Sequence, residues 1–449
     1  MGQPSEIIGS RMKRCFWASL PGYALLVLIH SRAPWLHGAS LRENSDPMPY
    51  DLILLQTGIL AYLFAIFFAT LYSLPSQAVW HGVRRHAVVL ALVGSLAVPV
   101  NSSDVFAYIG FGRIVAIHRA NPYDHSYREF SDDYSPYAWF TGSMPYGPVF
   151  LPFAGIAGLI SQWNVLAAVI FFKATWFALY LITLWFMAHT KTFLRNILFF
   201  ACNPLMILEL LSNAHNDAII VLCLAAAVHF SFQRRFGLAF FIGTLAAMTK
   251  LPLAVVLGPI LVLATRCKAW RAITFYVLGI TVLAIAMFFA NPLERLMSVI
   301  NPRGVTSTAS IQVQALKLAA TPDQETLVRF VFGLMYGVFY VWRLRRVQND
   351  DSFLREMAYV VLGLLVYSTQ FQPWYVSWFL VLAALSNSRR LLVLGSAISI
   401  SAISLYGLRY SDIVGIPALR LLRVALLYLI PSAAVLVLVF YQRRHGVDH

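Results

Sequence analysis

Charge is scarce in this chain: only 12% of its 449 residues are Asp, Glu, Lys or Arg, about half the share of a soluble globular protein. A water-facing surface along most of the length is therefore excluded. The 59% of apolar residues recur from end to end, as in a polytopic membrane protein. Cysteine is also scarce. Cys15, Cys202, Cys223 and Cys267 lie within or at the ends of apolar runs without a CxxC pair. That pattern excludes a disulfide framework and a zinc site, so they read as small buried hydrophobes. Internal repeats, long linkers and low-complexity tracts are missing, which argues against a separate soluble domain and for one transmembrane domain over 1–449. The inverted repeats of many secondary transporters are not visible either.

Acids are fewer than bases, 19 against 34, for a formal net charge of +15. In a soluble chain this would suggest nucleic acid. Here the Lys and Arg sit in short loops between apolar runs, so the partner they indicate is the lipid bilayer, with no nucleic acid. Arg11, Lys13 and Arg14 precede an apolar run in the manner of a signal peptide, but no small-residue cleavage pattern follows, and the run reads as an uncleaved first helix.

Eight basic clusters mark the cytoplasmic side: Arg11/Lys13/Arg14, Arg84/Arg85, Lys191/Arg195, Arg234/Arg235, Arg266/Lys268/Arg271, Arg343/Arg345/Arg346, Arg389/Arg390 and Arg443/Arg444. Both termini are then cytoplasmic. Spans are expected near 15–30, 51–73, 87–100, 164–188, 195–211, 218–232, 237–249, 251–265, 270–290, 326–343, 355–369, 373–387, 390–407 and 418–440. The fold class is all-α, a multi-pass protein with about fourteen transmembrane helices plus outer juxtamembrane helices. One apolar run, Tyr146 to Ile160, breaks the alternation and is read as juxtamembrane or re-entrant. Four segments then share the outer face: 101–163, Ser212-Asn-Ala-His-Asn-Asp217, 291–325 and Gln370-Phe-Gln-Pro-Trp-Tyr375.

Asp104 lies in the outer segment 101–163, directly after a long apolar run. Insertion scales put an acid at such depth at about 2.5–3.5 kcal/mol, so its presence calls for an explanation. Its spacing to Tyr108, Phe111 and Gly112 places it in the first turn of a helix along the outer interface. Asn101-Ser-Ser-Asp104 is also good N-cap chemistry, and from the residues alone a cap and a catalytic acid are both open. Asp217, after His215-Asn216, is a helix cap or a binding group, and Glu209 either joins it or is paired inside the bundle. Lys250, in Met248-Thr-Lys-Leu-Pro252, is a snorkelling lysine or an anion ligand at the outer junction of two helices. Lys173 is an intramembrane charge whose expected partner is a facing acid. Trp374 and Tyr375 belong to an interfacial aromatic belt or to a sugar-stacking wall.

The ordered set Ser103-Asp-Val-Phe-Ala-Tyr108, Asn121-Pro-Tyr123, Tyr146-Gly-Pro148, Asn203-Pro-Leu…His215-Asn-Asp217, Lys250 and Gln372-Pro-Trp-Tyr375 resembles the GT-C superfamily of membrane glycosyltransferases. The closest resemblance is to the polyprenol-phosphomannose-dependent mannosyltransferases of bacteria. The chain departs from the Asp-x-Asp variant of some relatives, having Asp104-Val-Phe, and neither a metal nor a cofactor is expected. The resemblance implies inverting transfer of a sugar, mannose first, from a polyprenyl-phosphate donor to a hydroxyl of a glycan or glycolipid acceptor. The reaction would face the extracytoplasmic side of a bacterial inner or plasma membrane. It makes Asp104 the general base and gives the donor phosphate to Lys250 and Arg303. Acceptor or sugar binding would fall to Asp217, His215, Tyr108, Tyr123, Tyr146 and Trp374. Two other classes stand beside this reading. A secondary transporter would want ionisable groups at mid-membrane, as Lys173 is, and a non-catalytic envelope-assembly protein would show no sugar transfer.

Overall fold

The computed structural model describes residues 4–37, 50–74, 80–138, 142–190, 192–290, 310–369, 371–407 and 417–445. Among these residues the structure is helical, without strands. Two compact units emerge: Met1–Ala188 with Phe193–Leu222, and His189–Thr192 with Cys223–His449.

In the first unit, α1 (Pro4–His30) packs on α2 (Tyr50–Tyr72) and α3 (Trp80–Leu96). The segment 101–163 carries α4 (Asp104–Ala116) and, towards its end, α5 (Leu151–Ile160). These two cross backbone to backbone because both carry glycine at the crossing. A Cβ on Gly112 would fall on the Ala154 carbonyl, and one on Gly158 would fall on the backbone of Gly112 and Arg113. Ten residues of α5 extend about 15 Å, half the hydrocarbon thickness, so this helix does not cross a bilayer by itself.

Between them, the loop is pinned by Arg113. Its Nε and Nη2 donate to Asp132 Oδ2 at 3.1 and 2.7 Å, and Nη1 donates to Ser161 Oγ at 3.1 Å. Asp133 takes a further bond, and Tyr127 donates its hydroxyl to Asp132 at 2.6 Å. Tyr134 donates to the Phe106 carbonyl at 2.7 Å, tying the same loop to α4.

The run expected as one span at 195–211 is bent part-way along. Helix α7 (Leu194–Ala201) stops, and the chain restarts at 44° through α8 (Pro204–Met206) and a π-helical turn, Ile207–Ser212. The cause is local: the Asn203 side chain accepts the Leu205 N–H at 3.0 Å, and Pro204 supplies a first helical position that lacks an N–H. Ahead of this break runs α6 (Val165–Ala188), apolar apart from Lys173, Thr175 and Thr183.

The second unit takes most of α9 (Asp217–Phe232) and then α10 (Phe236–Thr249), α11 (Leu257–Arg266) and α12 (Arg271–Ala290). It continues with α13 (Ile311–Lys317), α14 (Pro322–Arg345), α15 (Asp350–Tyr367), α16 (Val376–Leu385), α17 (Arg389–Gly407) and α18 (Pro417–His445). Proline shapes two entries here, since Pro252 and Pro373 each open a short 3₁₀ turn before the following α-helix. Helix α14 buries none of its residues and exposes Phe330, Leu334 and Val338. An apolar helix left uncovered in this way has its solvent in lipid.

Among the described residues, four helices are long and apolar enough to cross a bilayer: Leu52–Tyr72, Val165–Ala188, Pro322–Arg345 and Arg389–Tyr406. The bent pair at 194–212 would be a fifth. The remaining apolar helices are shorter. This is a membrane protein by the apolar surface those helices carry.

Candidate active site

Helix α4 starts where the Ser102 hydroxyl accepts the Asp104 N–H at 3.2 Å, while Ser103, at the cap position, makes no side-chain capping bond. The cap is thus supplied by a serine. Asp104 stands one residue inside the helix, with its carboxylate near the positive end of the helix dipole. The carboxylate is one-fifth exposed, and its Oδ2 lies 3.6 Å from Nδ1 of the fully buried His215. One turn along the same face, Tyr108 turns its hydroxyl to His215 Nδ1 at 3.5 Å and to Asn216 Oδ1 at 3.4 Å. Its ring packs edge-on against Tyr146 and Phe150, at 5.2 and 4.9 Å between centroids. Burial, and after it the charges of Asp104 and Asp217, push the Tyr108 phenol well above its ordinary range, so it stays a neutral hydrogen-bonding group.

The turn that carries His215 is held from behind. Ala214 adopts a left-handed conformation, φ 57°, rare for a residue with a Cβ. The indole N–H of Trp176 donates to the Ala214 carbonyl at 2.9 Å. Three residues earlier on α6, Lys173 donates to the carbonyls of Ala97, Leu211 and Ser212 at 2.7, 2.7 and 2.8 Å. The expectation that an acid faces Lys173 is corrected: its partners are backbone oxygens at the ends of α3 and the π-helical turn. Their dipoles supply the negative charge.

A chain of buried amides joins the same turn to the first helices. His30 Nε2 meets Gln56 Oε1 at 2.8 Å, Gln56 donates to Asn101 Oδ1 at 2.7 Å, and the Asn101 N–H reaches Asn213 Oδ1 at 3.4 Å. Asn213 in turn donates to Glu209 Oε2 at 3.2 Å. Single polar residues such as His30 and Gln56 inside apolar runs were the available sequence signal for this network.

The residues singled out from sequence thus separate. Asp104, Tyr108, Tyr146, His215 and Asp217 gather at the junction of α4 with the 212–217 turn. Tyr123 is buried in its own Asn121-Pro-Tyr-Asp124 turn, where Asn121 Oδ1 accepts its N–H at 3.1 Å. Lys250 and Trp374 belong to the second unit. There the Lys250 ammonium, mostly buried at the end of α10, lies 4.7 Å from the Tyr375 ring centre and 5.6 Å from that of Trp378. Tyr375 and Trp378 stack at 4.5 Å, whereas Trp374 meets Tyr375 edge-on. Trp378 went unread because an aromatic in an apolar helix has no distinguishing pattern. Arg303 lies outside the described residues. No group of three or more His, Cys, Asp or Glu among the described residues is placed to hold a metal ion.

A carboxyl group at a helix start, open on one side to solvent and backed by a buried imidazole and phenol, is placed where it could accept a proton from a hydroxyl. The sequence profile described as alpha-(1->6)-mannopyranosyltransferase, N-terminal domain, matches residues 24–266, more than half of the chain, and includes every residue of this cluster. The chain belongs to the alpha-(1->6)-mannopyranosyltransferase family. It is 26% identical over 376 residues to alpha-(1->6)-mannopyranosyltransferase A of Mycobacterium tuberculosis, covering 75% of this chain and 72% of that one. No solved structure matches. As a member of the mannopyranosyltransferase family, the protein is a membrane glycosyltransferase acting on a sugar donor and a glycan acceptor.

Proposed function

We propose that this mannosyltransferase takes mannose from a polyprenyl-phosphate donor and places it, with inversion, on a hydroxyl of a glycan or glycolipid. In this reading the chain is multi-pass, with about fourteen spans in one transmembrane domain. Both termini are in the cytoplasm, and the site opens on the extracytoplasmic face of a bacterial plasma membrane. The name of the mycobacterial relative suggests an α-1,6 linkage. The observation that carries the proposal is the placement of the Asp104 carboxylate at the start of α4, partly exposed and 3.6 Å from His215.

Chemically, the acceptor oxygen attacks the anomeric carbon as the bond to the phosphate oxygen breaks. Asp104 takes the hydroxyl proton, and the polyprenyl phosphate leaves as an anion. Tyr108, Tyr146, His215 and Asp217 line the acceptor or sugar side. Tyr123 and Trp374 serve sugar binding from their own positions. Lys250 and Arg303 provide positive charge for the departing phosphate, where charge concentrates in the transition state. The lipid supplies binding energy remote from the reacting carbon. The transporter reading loses its main support, because Lys173 is engaged by three backbone carbonyls.

The test is donor choice. Purified full-length protein in nanodiscs is given radiolabelled mannose as polyprenyl-phosphomannose or as a nucleotide sugar, with a mannan oligosaccharide acceptor. Transfer from the lipid donor, with an inverted anomeric centre by NMR, is expected. Transfer from the nucleotide sugar alone, or with retention, overturns the proposal.

A further inference from the structure

Just past the π-helical turn, Ala214 takes up a left-handed conformation, φ 57°. Among the described residues four other non-glycine residues do the same, Arg119, Arg234, Lys268 and Asn387, and of the five Ala214 is the one that is buried. A Cβ makes this conformation costly, and burial removes the water that would otherwise serve the alanine carbonyl. The protein supplies that partner itself: the Trp176 indole N–H reaches the Ala214 carbonyl at 2.9 Å. Packing fixes the indole in turn. Wholly buried, it stacks on Phe172 at 5.6 Å between ring centres and leans on Phe153 at 5.4 Å. Phe172 also meets the Tyr108 ring edge-on at 5.7 Å, so one aromatic block faces both walls of the candidate site, α4 and the 212–217 turn.

We infer that Trp176 is a positioning residue for the transfer reaction: its hydrogen bond holds Ala214 left-handed, and that conformation aims His215 and Asn216 at Asp104 and Tyr108. The inference rests on the reading of Asp104 as the base. A left-handed residue ends a helix by turning the chain back on itself, and here the His215 N–H returns to the Glu209 carbonyl at 3.1 Å. The next two side chains then face α4. His215 Nδ1 stands 3.6 Å from Asp104 Oδ2, and Asn216 Oδ1 stands 3.4 Å from the Tyr108 hydroxyl. Without the indole N–H the buried Ala214 carbonyl loses its bond, and the alanine gains by rotating that peptide out of the left-handed region. His215 and Asn216 move with it. A shift of about 1 Å in a reacting constellation can cost up to about 10²-fold in rate. Glycine populates the left-handed region without a steric cost, so the indole matters for an alanine at 214 and matters less for a glycine there.

Trp176→Phe removes the N–H with part of the ring, and benzothienylalanine at position 176 replaces the N–H by sulfur in a ring system of nearly the same shape. Both are made in the full chain and in the Ala214→Gly background, and kcat and KM are measured in nanodiscs with polyprenyl-phosphomannose. A roughly tenfold fall in kcat is expected in the full chain, with the KM of donor and acceptor within about twofold of wild type. In the Ala214→Gly background the same changes should cost less than about threefold, because the turn no longer needs the bond. The sulfur analogue keeps the packing, and it decides the test if Trp176→Phe does not fold. An unchanged kcat in either folded variant overturns the inference. So does an equal loss in the two backgrounds, which would mark a packing role alone, or a loss confined to KM. Failure of the underlying reading looks different: Asp104→Asn alone would then turn over normally.

Discussion

The ammonium of Lys173 lies 2.8 Å from the carbonyl oxygen of Ser212, at the last residue of the π-helical turn that leads into His215. Together with its bonds to Leu211 and Ala97, this makes a side chain of α6 the anchor for the back of the candidate site.

Replacing Lys173 by Met removes a donor from three buried carbonyls, of which that of Ala97 still accepts from the Ser212 hydroxyl at 3.2 Å. Each acceptor left unsatisfied costs about 1–3 kcal/mol, so the variant should lose about 2 kcal/mol or more, seen as a lower thermal unfolding midpoint in detergent. A midpoint equal to wild type, with activity lost, would instead mark Lys173 as a group that acts on substrate.

The α4–α5 crossing gives a paired test on one helix. Gly158→Ala must push the helices apart and should destabilise the protein by about 1–3 kcal/mol, the usual scale of overpacking. A Cβ on Gly155 meets nothing within 4 Å, and Gly155→Ala should be neutral or stabilising by up to about 1 kcal/mol. Equal effects in thermal unfolding would contradict the packing described.

Loop pinning by Asp132 carries a pH dependence. Burial raises this carboxyl, but hydrogen bonds from Tyr127 and Arg113 outweigh it and hold it below the ordinary carboxylate range. A carboxyl depressed on folding contributes stability above its unfolded value, near about 4, and that contribution is lost as pH falls through the folded value. Hydrogen exchange in 118–138 should thus be equally slow at pH 7 and at pH 5, after correction for intrinsic rates, and rise only below about 4. Loosening already between pH 7 and 5 would contradict the assignment of the latch to Asp132.

Lys250 should act through its charge. Lys250→Met keeps the stem over Tyr375 and Trp378 but removes the ammonium, and should cost roughly 1.5–3 kcal/mol in donor binding or transition-state stabilisation, with acceptor KM nearly unchanged. Unaltered donor kinetics would return Lys250 to a structural contact with those rings.

Much of the candidate cluster could be picked out from the sequence because it consists of side chains in a fixed order. Asp104, Tyr108, Tyr146, His215 and Asp217 stand out as polar or aromatic residues at the ends of apolar runs, and the structure gathers them. What stayed hidden depends on the backbone. Lys173 was visible as a misplaced charge, but its partners are carbonyls freed by a π-helical turn, and no residue type announces that turn. Asn203-Pro204 is ordinary cap chemistry, yet the apolar residues around it continue without pause, so hydropathy joins what the cap divides. The α4–α5 crossing was half visible: Gly112 falls at helical spacing from Asp104, but its counterpart Gly158 is one glycine among several in an apolar run.

The central claim is that Asp104 removes the proton from the acceptor hydroxyl, and Asp104→Asn tests it most directly. The amide keeps the shape of the carboxylate and its place at the helix start while losing basicity. Turnover measured with polyprenyl-phosphomannose at saturating donor and acceptor should fall by about 10²-fold or more, with the unfolding midpoint close to that of wild type. Turnover within a fewfold of wild type in a folded Asp104→Asn protein would contradict the account.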